Sequence, residues 1–523
     1  MFFLVSLCFC VSAANLSCGY KPTDLRTLAP AETLVYIETN DLAAALQPIV
    51  DSKPFMETAK SKPDFSALKG VQVAVAVTGF ETSEIELTNE RSIGKVQPRF
   101  VAIADTHAWN YQAVKFAELK LGSFVAGIYD SEPKVEQSDK YSGRYFTWTA
   151  EDGRKAFALV IDSLIYFGND ESAIEKCLAV RRGESDSILT TGKVQPPAPG
   201  ILASGYVSTD GVAQIAGLAG IQLAAESSDE AETRSAIAGI VPKLIRGMIV
   251  DASWTMKRSE KGIEDEIAFK LPPDVASVFS ETIVSVEVGE PTVENFVSGS
   301  TAGFTLYNLK DPQLAWRSIL LVAQKQTDPM SGRIIAQVAR LAAEPFGVSD
   351  PELLLASIKP RFITVRRDAE AEDSALIVGI ADQVDLKKAI SKDIDLSKTS
   401  SSIEAEEYSE SPVGDLAFAR QKDFVIVGSP ASVHSSIRSN FSGLFGKTDY
   451  AQRLTGSSPV TTLGRDRTSA AILTDILAHE GHNNTDVVST YLTETRFTKV
   501  GMERRTVSDF GLIGWIITHL AQS

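Results

Sequence analysis

The chain has 523 residues, which is too many for one hydrophobic core and predicts two or more domains. Hydrophobic residues make up 44% and charged residues 23% of the chain, a balance that excludes a wholly disordered protein. The formal net charge of −16 argues against a nucleic-acid partner, because binding to phosphates requires a concentrated basic face.

The N-terminus has the pattern of an export leader. Phe2 to Ala14 is an apolar run that ends in small residues and is shorter than the ~20 residues that cross a bilayer as a helix. No Lys or Arg precedes this run, so the basic segment that is usual in such leaders is missing. We predict that residues 1–18 form a signal peptide or a lipoprotein leader.

Cys18 is the candidate lipidation site. Leu16-Ser17-Cys18-Gly19 matches the end of a bacterial lipobox, although Asn15 stands where an aliphatic residue is usual. We favour a lipid anchor at Cys18 over simple secretion, with residues 19–27 as a polar tether. The membrane is therefore expected as a partner only through this anchor.

Two stretches of the chain share one pattern, Ala156 to Leu178 and Ala417 to Ile437. Each begins with a strand that opens Ala-Phe-Ala and has an Asp at the following bend, Asp162 in the first and Asp423 in the second. A second apolar strand, a Gly, a polar N-cap and a helix follow in both. This repetition predicts an internal duplication.

The elements before these stretches recur in the same order. In the first half we predict strands at 33–38, 66–77 and 100–105 and helices at 42–50 and 108–121. The matching segments of the second half are strands at 303–307, 356–365 and 376–382, a helix that begins near Pro312 and runs through 316–324, and a helix at 383–392. Asp41 is the expected N-cap of the helix at 42–50, and Pro312 the first-turn residue of its counterpart.

These matches divide the chain into two predicted repeats. Repeat one spans 28–290, with blocks at 28–185 and 200–290, and repeat two spans 295–523, with blocks at 295–440 and 465–523. The Pro-rich segment 185–200 and the Ser- and Glu-rich segment 395–412 are predicted to be exposed connections. Short strands with hairpin neighbours and interspersed helices predict an α+β fold of two pseudo-symmetric repeats, with antiparallel or mixed sheets and helices packed on them.

The catalytic and metal-binding patterns in the chain are weak. His479-Glu480-Gly481-His482 is one residue short of the H-E-x-x-H zinc motif, so His479 and His482 are not expected to lie on one helical face. Ser66 and Lys69 match S-x-x-K, but the S-D-N and K-T-G partners of serine acyl-enzymes are missing. We predict no catalytic residues, no metal site and no cofactor.

Carboxylates recur at matched places in the two predicted repeats. Asp162 and Asp423 are one such pair, and Asp105 with Asp382 and Asp210 with Asp475 are others. Such pairs could form symmetric acid-base or cation sites, but an Asp at a strand end more often caps a helix or closes a turn. Cys177, alone inside a predicted helix, is expected to be packed in the core.

Three features of the chain are similar to those of a known group of proteins. They are the opening Leu28-Ala29-Pro30-Ala31-Glu32, the repeated strand-Gly-cap-helix units, and the ending Ser508-Asp509-Phe510-Gly511-Leu512. In these features the chain resembles bacterial exported proteins of unknown function, in which a signal or lipoprotein leader precedes an opening similar to Leu-Pro-Ala-Asp-Thr. The resemblance implies a location in the cell envelope and no catalytic residues.

The sequence leaves three functional hypotheses. The first is a non-enzymatic envelope protein, in the periplasm or at the cell surface, that binds or scaffolds a partner through a groove or face. The second is a solute-binding lipoprotein with a pocket between its repeats, and the third is an envelope hydrolase that uses Ser66 and Lys69 or a repeated Asp pair. The expected partner is an envelope protein or a small ligand, with no nucleic acid.

Overall fold

The architecture was obtained as a computed structural model. It describes residues 23–52, 55–56, 65, 68–88, 91–129, 131–227, 231–260, 262–286, 293–299, 301–341, 343–367, 373–398, 405–442, 457–464 and 490–514. Within these ranges, no helix is both long enough and apolar enough to cross a membrane.

The described residues form nineteen strands. In chain order they are β1 Val35–Thr39, β2 Gln72–Thr88, β3 Arg91–Asp105, β4 Lys134–Lys140, β5 Gly143–Thr149, β6 Lys155–Ile161, β7 Leu164–Gly168, β8 Ile201–Val207, β9 Asp251–Ser259, β10 Gly262–Lys270, β11 Gly303–Asn308, β12 Ile358–Arg366, β13 Ser374–Ile380, β14 Glu407–Glu410, β15 Ala417–Gln421, β16 Phe424–Gly428, β17 Val460–Gly464, β18 Tyr491–Phe497 and β19 Gly501–Ser508.

Twelve α-helices accompany the strands within the described ranges. They are α1 Leu42–Val50, α2 Asn110–Phe116, α3 Gly122–Tyr129, α4 Glu171–Arg181, α5 Thr209–Ser227, α6 Ala231–Met248, α7 Pro273–Thr282, α8 Pro312–Lys325, α9 Pro329–Leu341, α10 Pro351–Ala356, α11 Gln383–Ala389 and α12 Pro430–Ser442. A π-helical turn, Ala117–Leu121, joins α2 to α3.

Local sequence explains where several helices begin. The side chain of Asp41 accepts a hydrogen bond from the backbone N–H of Ala44 at 3.0 Å, which caps α1 as predicted. Asp311 caps α8 in the same way through Leu314, and Pro312 occupies the first helical position, where its missing N–H has no cost.

All strands belong to one sheet, and every described pairing is antiparallel. Hydrogen-bonded neighbours give the order β4-β5-β6-β7-β3-β2-β1-β8-β9-β10 for the first half of the chain. The second half, counted inward from its outer edge, gives β14-β15-β16-β13-β12-β11-β17-β18-β19. The α+β prediction with antiparallel sheets is confirmed.

The two halves meet where β10 pairs with β19, and this pairing is called the junction below. Eight residue pairs join the strands, from Ile263 with Ser508 to Lys270 with Gly501. No break in hydrogen bonding separates the halves at this point. The sheet is therefore continuous across the chain.

On one face of the sheet, helices cover the strands of each half that lie away from the junction; these two parts are called the wings below. In the first half, Ile174 and Cys177 of α4 pack in one core cluster with Tyr36 of β1. In the second half, Val433 and Ile437 of α12 join a comparable cluster. The prediction that Cys177 is a core residue is confirmed, since its side chain is fully buried and burial raises the pKa of its thiol to about 12.

On the opposite face of the sheet, helices cover the centre near the junction and also the second half. Leu46 and Ile49 of α1 pack on Trp254 and Ile263 near the junction. Val275 and Phe279 of α7, with residues of α8, α10 and α11, form the large cluster on the second half. Apolar side chains thus fix this side of the sheet along both halves.

Three predicted connections are more ordered than expected. Segment 395–412 contains strand β14, whose Glu407 pairs with Arg420 of β15, so this segment is not only an exposed connection as predicted. Ile188 and Val194 of segment 185–200 are buried in the first-half core. The predicted tether 19–27 is described from Thr23 onward, and Leu25 and Arg26 are buried.

A glycine at one end of the junction provides a stability prediction. A Cβ atom at Gly501 would overlap the backbone carbonyl oxygen of Phe269 on β10. We expect Gly501→Ala to lower the free energy of unfolding by roughly 1–3 kcal/mol, because the two strands would have to separate locally. Urea unfolding measures the loss.

Gly127→Ala is the matched control, since a Cβ at Gly127 in α3 meets no atom within 4 Å. Alanine favours the helix more than glycine does, so this variant should be as stable as the wild type or slightly more stable. Equal stability of the two variants would contradict the close approach of β10 and β19.

Candidate charged face at the junction

The residues singled out from the sequence do not form a common site in the described structure. Cys18, Ser66, His479 and His482 lie outside the described residues. Lys69 is exposed in a turn before β2. The S-x-x-K and histidine patterns therefore stay predictions.

Asp162 and Asp423 lie in two-residue turns of separate hairpins. Asp162 is the first residue of the β6–β7 turn, with φ 56°, whereas the first residue of the β15–β16 turn is Lys422, with φ 54°. The two Asp residues therefore occupy different turn positions, which corrects their predicted equivalence. Both side chains are exposed, and each lies near one cation, Arg181 at 3.4 Å and Lys359 at 3.8 Å.

The other paired carboxylates also differ in role. Asp382 caps α11 through the backbone N–H groups of Val384 and Asp385. Asp105 is buried at the end of β3, where it accepts hydrogen bonds from the Thr23 hydroxyl and from the backbone N–H of His107. These bonds hold the pKa of Asp105 below its usual value despite its burial. Asp475 lies outside the described residues, so its match with Asp210 stays a prediction.

A band of charged side chains crosses the centre of the sheet on the face whose wings carry α4 and α12. In a sheet, the side chains of cross-strand partners and of alternate residues along a strand point to the same face. By this rule, seven charged side chains of β9, β10, β19 and β18 lie together on one face. We call this set the charged band; its members are Lys257, Glu264, Glu266, Glu503, Arg505, Glu494 and Arg496.

Glu264 is the buried centre of the charged band. Arg505 donates to both of its carboxylate oxygens at 2.7 Å, from Nε to Oε1 and from Nη2 to Oε2. Lys257 Nζ lies 2.9 Å from Oε1 on the other side. These cations hold the pKa of Glu264 below its usual value, with the Arg505 hydrogen bonds as the largest cause.

The network continues onto β18. Arg505 Nη1 lies 3.5 Å from Oε2 of Glu494, and Ser458 donates to Oε1 of the same carboxylate at 3.3 Å. Arg496 Nε donates to the Ser458 hydroxyl at 3.2 Å. Charges of alternating sign therefore run from Lys257 on the first half to Arg496 on the second.

The charged band is open to solvent although its carboxylates at 264 and 494 are buried. The side chain of Arg505 is 53% exposed and that of Lys257 is 40% exposed. Glu266, Arg496 and Glu503 are exposed as well. The sheet thus presents a mixed-charge surface between its two helix-covered wings.

Such a surface is suited to recognition through ion pairs and hydrogen bonds. Among the described residues, no group of three His, Cys, Asp and Glu side chains could hold a metal ion. The sequence contains a signal for the charged band that we did not use. Glu264-Asp265-Glu266 and Arg504-Arg505 are runs of opposite charge in the two hairpins that we had matched.

A second polar feature lies in the first-half core. Tyr36 is fully buried, and its hydroxyl donates to Glu38 Oε2 at 2.9 Å. Ser204 and Tyr206 of β8 are the strand partners of Glu38 and Tyr36 and are also buried. Burial raises the pKa of the Glu38 carboxyl and of the Tyr36 hydroxyl above their usual values.

An open polar depression of about 380 Å³ lies at the end of the junction. It is bounded by the end of α1, the turn between β9 and β10, and Asp509 after β19. Its lining includes one cation, Arg258, and the carboxylates of Asp51, Glu260 and Asp509. The depression lies at the rim of the sheet and does not separate the halves.

The pairing of Arg505 with Glu264 supplies a second prediction. Arg505→Met would leave the buried Glu264 with Lys257 as its partner and lower the free energy of unfolding by about 1–2 kcal/mol, a value reduced because Arg505 is half exposed. Arg182→Met is the matched control, since Arg182 is about as exposed as Arg505 but its partner Glu184 is 56% exposed, and this variant should change nothing measurable. Equal effects in urea unfolding would contradict the buried role of Glu264.

Asp265, on the apolar side of β10, supplies a prediction about pH. Its carboxylate accepts hydrogen bonds from Trp254 Nε1 and from the Leu512 backbone at 2.8 Å, yet burial raises its pKa from 3.8 to about 6. Because the folded pKa is the higher one, the stabilising contribution of Asp265 is complete below about pH 4 and is lost as pH rises to about 6.

Asp265→Asn should therefore flatten the change of melting temperature between pH 4 and pH 7. Asp423→Asn, in an exposed turn, should keep the wild-type slope. An unchanged slope in Asp265→Asn would show that this carboxyl does not titrate as its burial requires.

Comparisons with known proteins give no family. No family model and no curated protein matches the chain. Two solved structures are similar in part: crystal form IV of TP0453, at 9% identity over 51% of this chain and 88% of that one, with a TM-score of 0.25, and crystal form I of TP0453, at 10% identity over 52% and 90%, with a TM-score of 0.23.

Proposed function

We propose that this protein is an exported, non-enzymatic component of the cell envelope that binds or scaffolds a partner. The observation that carries the proposal is the charged band, a solvent-exposed surface at the centre of a continuous sheet. Anchoring through Cys18 would hold this surface near a membrane. The partner is inferred to be an envelope protein, because an extended mixed-charge face suits a macromolecule better than a small solute.

We also propose that the two halves are pseudo-symmetric repeats. The inward strand orders agree, except that the first half carries one additional outer strand, β4. At the centre of the junction, Glu266 pairs with Arg505. The same two residues occupy equivalent positions in the two repeats, because each lies four residues after the matched glycine, Gly262 or Gly501. A two-fold axis through this pair would relate β10 to β19.

The strand register supports this relation further out and also shows where the halves differ. We traced the cross-strand partners outward from Glu266 and Arg505, strand by strand, in each half. Tyr36 on β1 then corresponds to Phe304 on β11, and Glu38 corresponds to Leu306. Both members of each pair lie on buried strands, but only the first half has the phenol and carboxyl groups there. The repeats would therefore share a fold and differ in core chemistry.

The solute-binding alternative requires a cleft that closes between the halves. Eight residue pairs of β10 and β19 span the boundary, so a hinge there would break backbone hydrogen bonds. Within the described residues, the rim depression of about 380 Å³ is a feature that a small solute could use. The hydrolase alternative requires a repeated Asp pair to meet in one site. Asp162 and Asp423 do not meet, because they lie in hairpins separated by many strands.

Site-specific photo-crosslinking in intact cells tests the proposal. A crosslinking residue at Glu266 in the charged band should capture a distinct macromolecule, and Glu503→Lys should reduce this product because it inverts a neighbouring charge. The control is the same crosslinker at Asp423, which is also exposed and lies in a hairpin turn outside the charged band.

The outcome separates the alternatives. A product that forms at Glu266, is absent at Asp423 and weakens in Glu503→Lys is the expected result. No specific product at Glu266, together with a small solute that raises the melting temperature of the purified protein, would reject the proposal in favour of solute binding.

A further inference from the structure

The N-terminal segment is fixed to the body at Thr23. Its backbone N–H donates to Gln72 Oε1 at 2.9 Å, and Gln72 Nε2 donates back to its carbonyl at 3.0 Å. Its hydroxyl donates to Asp105 Oδ2 at 2.5 Å. These three hydrogen bonds attach the chain at the end of the sheet where β3 finishes.

Only residues 19–22 lie between Cys18 and this attachment point. Five Cα–Cα steps span at most about 18 Å when fully extended. A lipid on Cys18 would therefore hold this end of the sheet close to the headgroups. The tether is too short to let the body rotate freely against the membrane.

Two large aromatic side chains are exposed at the same end. Trp109 is 76% exposed and Tyr111 is 63% exposed, at the start of α2. Trp109 follows Asp105 by four residues, which keeps their Cα atoms within about 14 Å of each other. His107, between them, is held to Asp105 by its backbone N–H at 3.0 Å. The aromatic pair thus lies beside the attachment point.

Exposed Trp and Tyr side chains of this kind suit the boundary between lipid and water. Their rings bury apolar area among the headgroups while the indole N–H and the phenol O–H keep polar partners. Insertion of two rings alone would be weak, but a tether raises the local concentration of the membrane surface.

We propose that Trp109 and Tyr111 contact the headgroup region of the membrane to which Cys18 anchors the protein. The inference rests on the lipid anchor of the proposed function. The contact would fix the orientation of the body, with the β3 end of the first half toward the lipid.

Quenching of tryptophan fluorescence by bilayer lipids tests this contact. The full acylated protein would be reconstituted in vesicles of phosphatidylethanolamine and phosphatidylglycerol with brominated acyl chains, and mass spectrometry would verify the lipid on Cys18. The chain has five tryptophans, so every protein in this test carries Trp316→Phe and Trp515→Phe. In that background we expect Trp109→Phe to remove most of the quenching, because Trp148 and Trp254 are buried at 1% and 8% exposure.

A matched control places an exposed indole elsewhere on the body. Leu321 on α8 is 65% exposed, so Leu321→Trp in the Trp109→Phe background supplies a tryptophan of similar accessibility in the second half. This tryptophan should stay unquenched. Equal quenching at both positions would show a body without fixed orientation and overturn the proposal.

Two further outcomes distinguish the anchor from the contact. An acylated protein whose Trp109 is unquenched overturns the membrane contact and leaves the anchor standing; a protein partner would then be the remaining occupant of the aromatic pair. A mature protein without a lipid on Cys18 overturns both.

Discussion

The antiparallel pairing of β10 with β19 is the constraint on which the rest of the structure depends. Eight residue pairs join segments that lie about half the chain apart and turn two sets of strands into one sheet. Opening a hinge at this boundary would break the backbone hydrogen bonds of the ladder. The same pairing forces Gly501 against the Phe269 carbonyl and brings Arg505 onto Glu264. The charged band exists because this strand pair exists.

The charges of the two strands also specify this pairing. β10 carries Glu264, Asp265 and Glu266, whereas β19 carries Arg504 and Arg505. Antiparallel pairing places Glu266 opposite Arg505, so opposite charges face each other across the strands. Pairing of β10 with a second β10 in the same register would place Glu266 opposite itself, which is unfavourable. The charges of the band thus contribute to the specificity of this strand pairing.

Much of the fold could be predicted from local signals in the sequence. Asp41 before α1 and Asp311-Pro312 at the start of α8 act through contacts within one helical turn. Asp162 and Asp423 were matched one position apart, because sequence similarity does not show which residue begins a two-residue turn. β14 was missed because its sequence, Glu-Tyr-Ser-Glu, lies in an acidic and Ser-rich stretch and is stabilised by pairing with β15. Runs of opposite charge in the two matched hairpins were a signal for the charged band, but the direct pairing of Glu264 with Arg505, 241 residues apart, depends on the β10–β19 register and could not be predicted.

Native-state hydrogen exchange across the junction is the most direct test of a single continuous sheet. In a continuous sheet, backbone amides of β10 and β19 exchange as slowly as those of interior strands such as β1 and β11, and they lose protection together with them. Fast exchange in β10 and β19 while β1 and β11 stay protected would show two independent domains and contradict a continuous sheet.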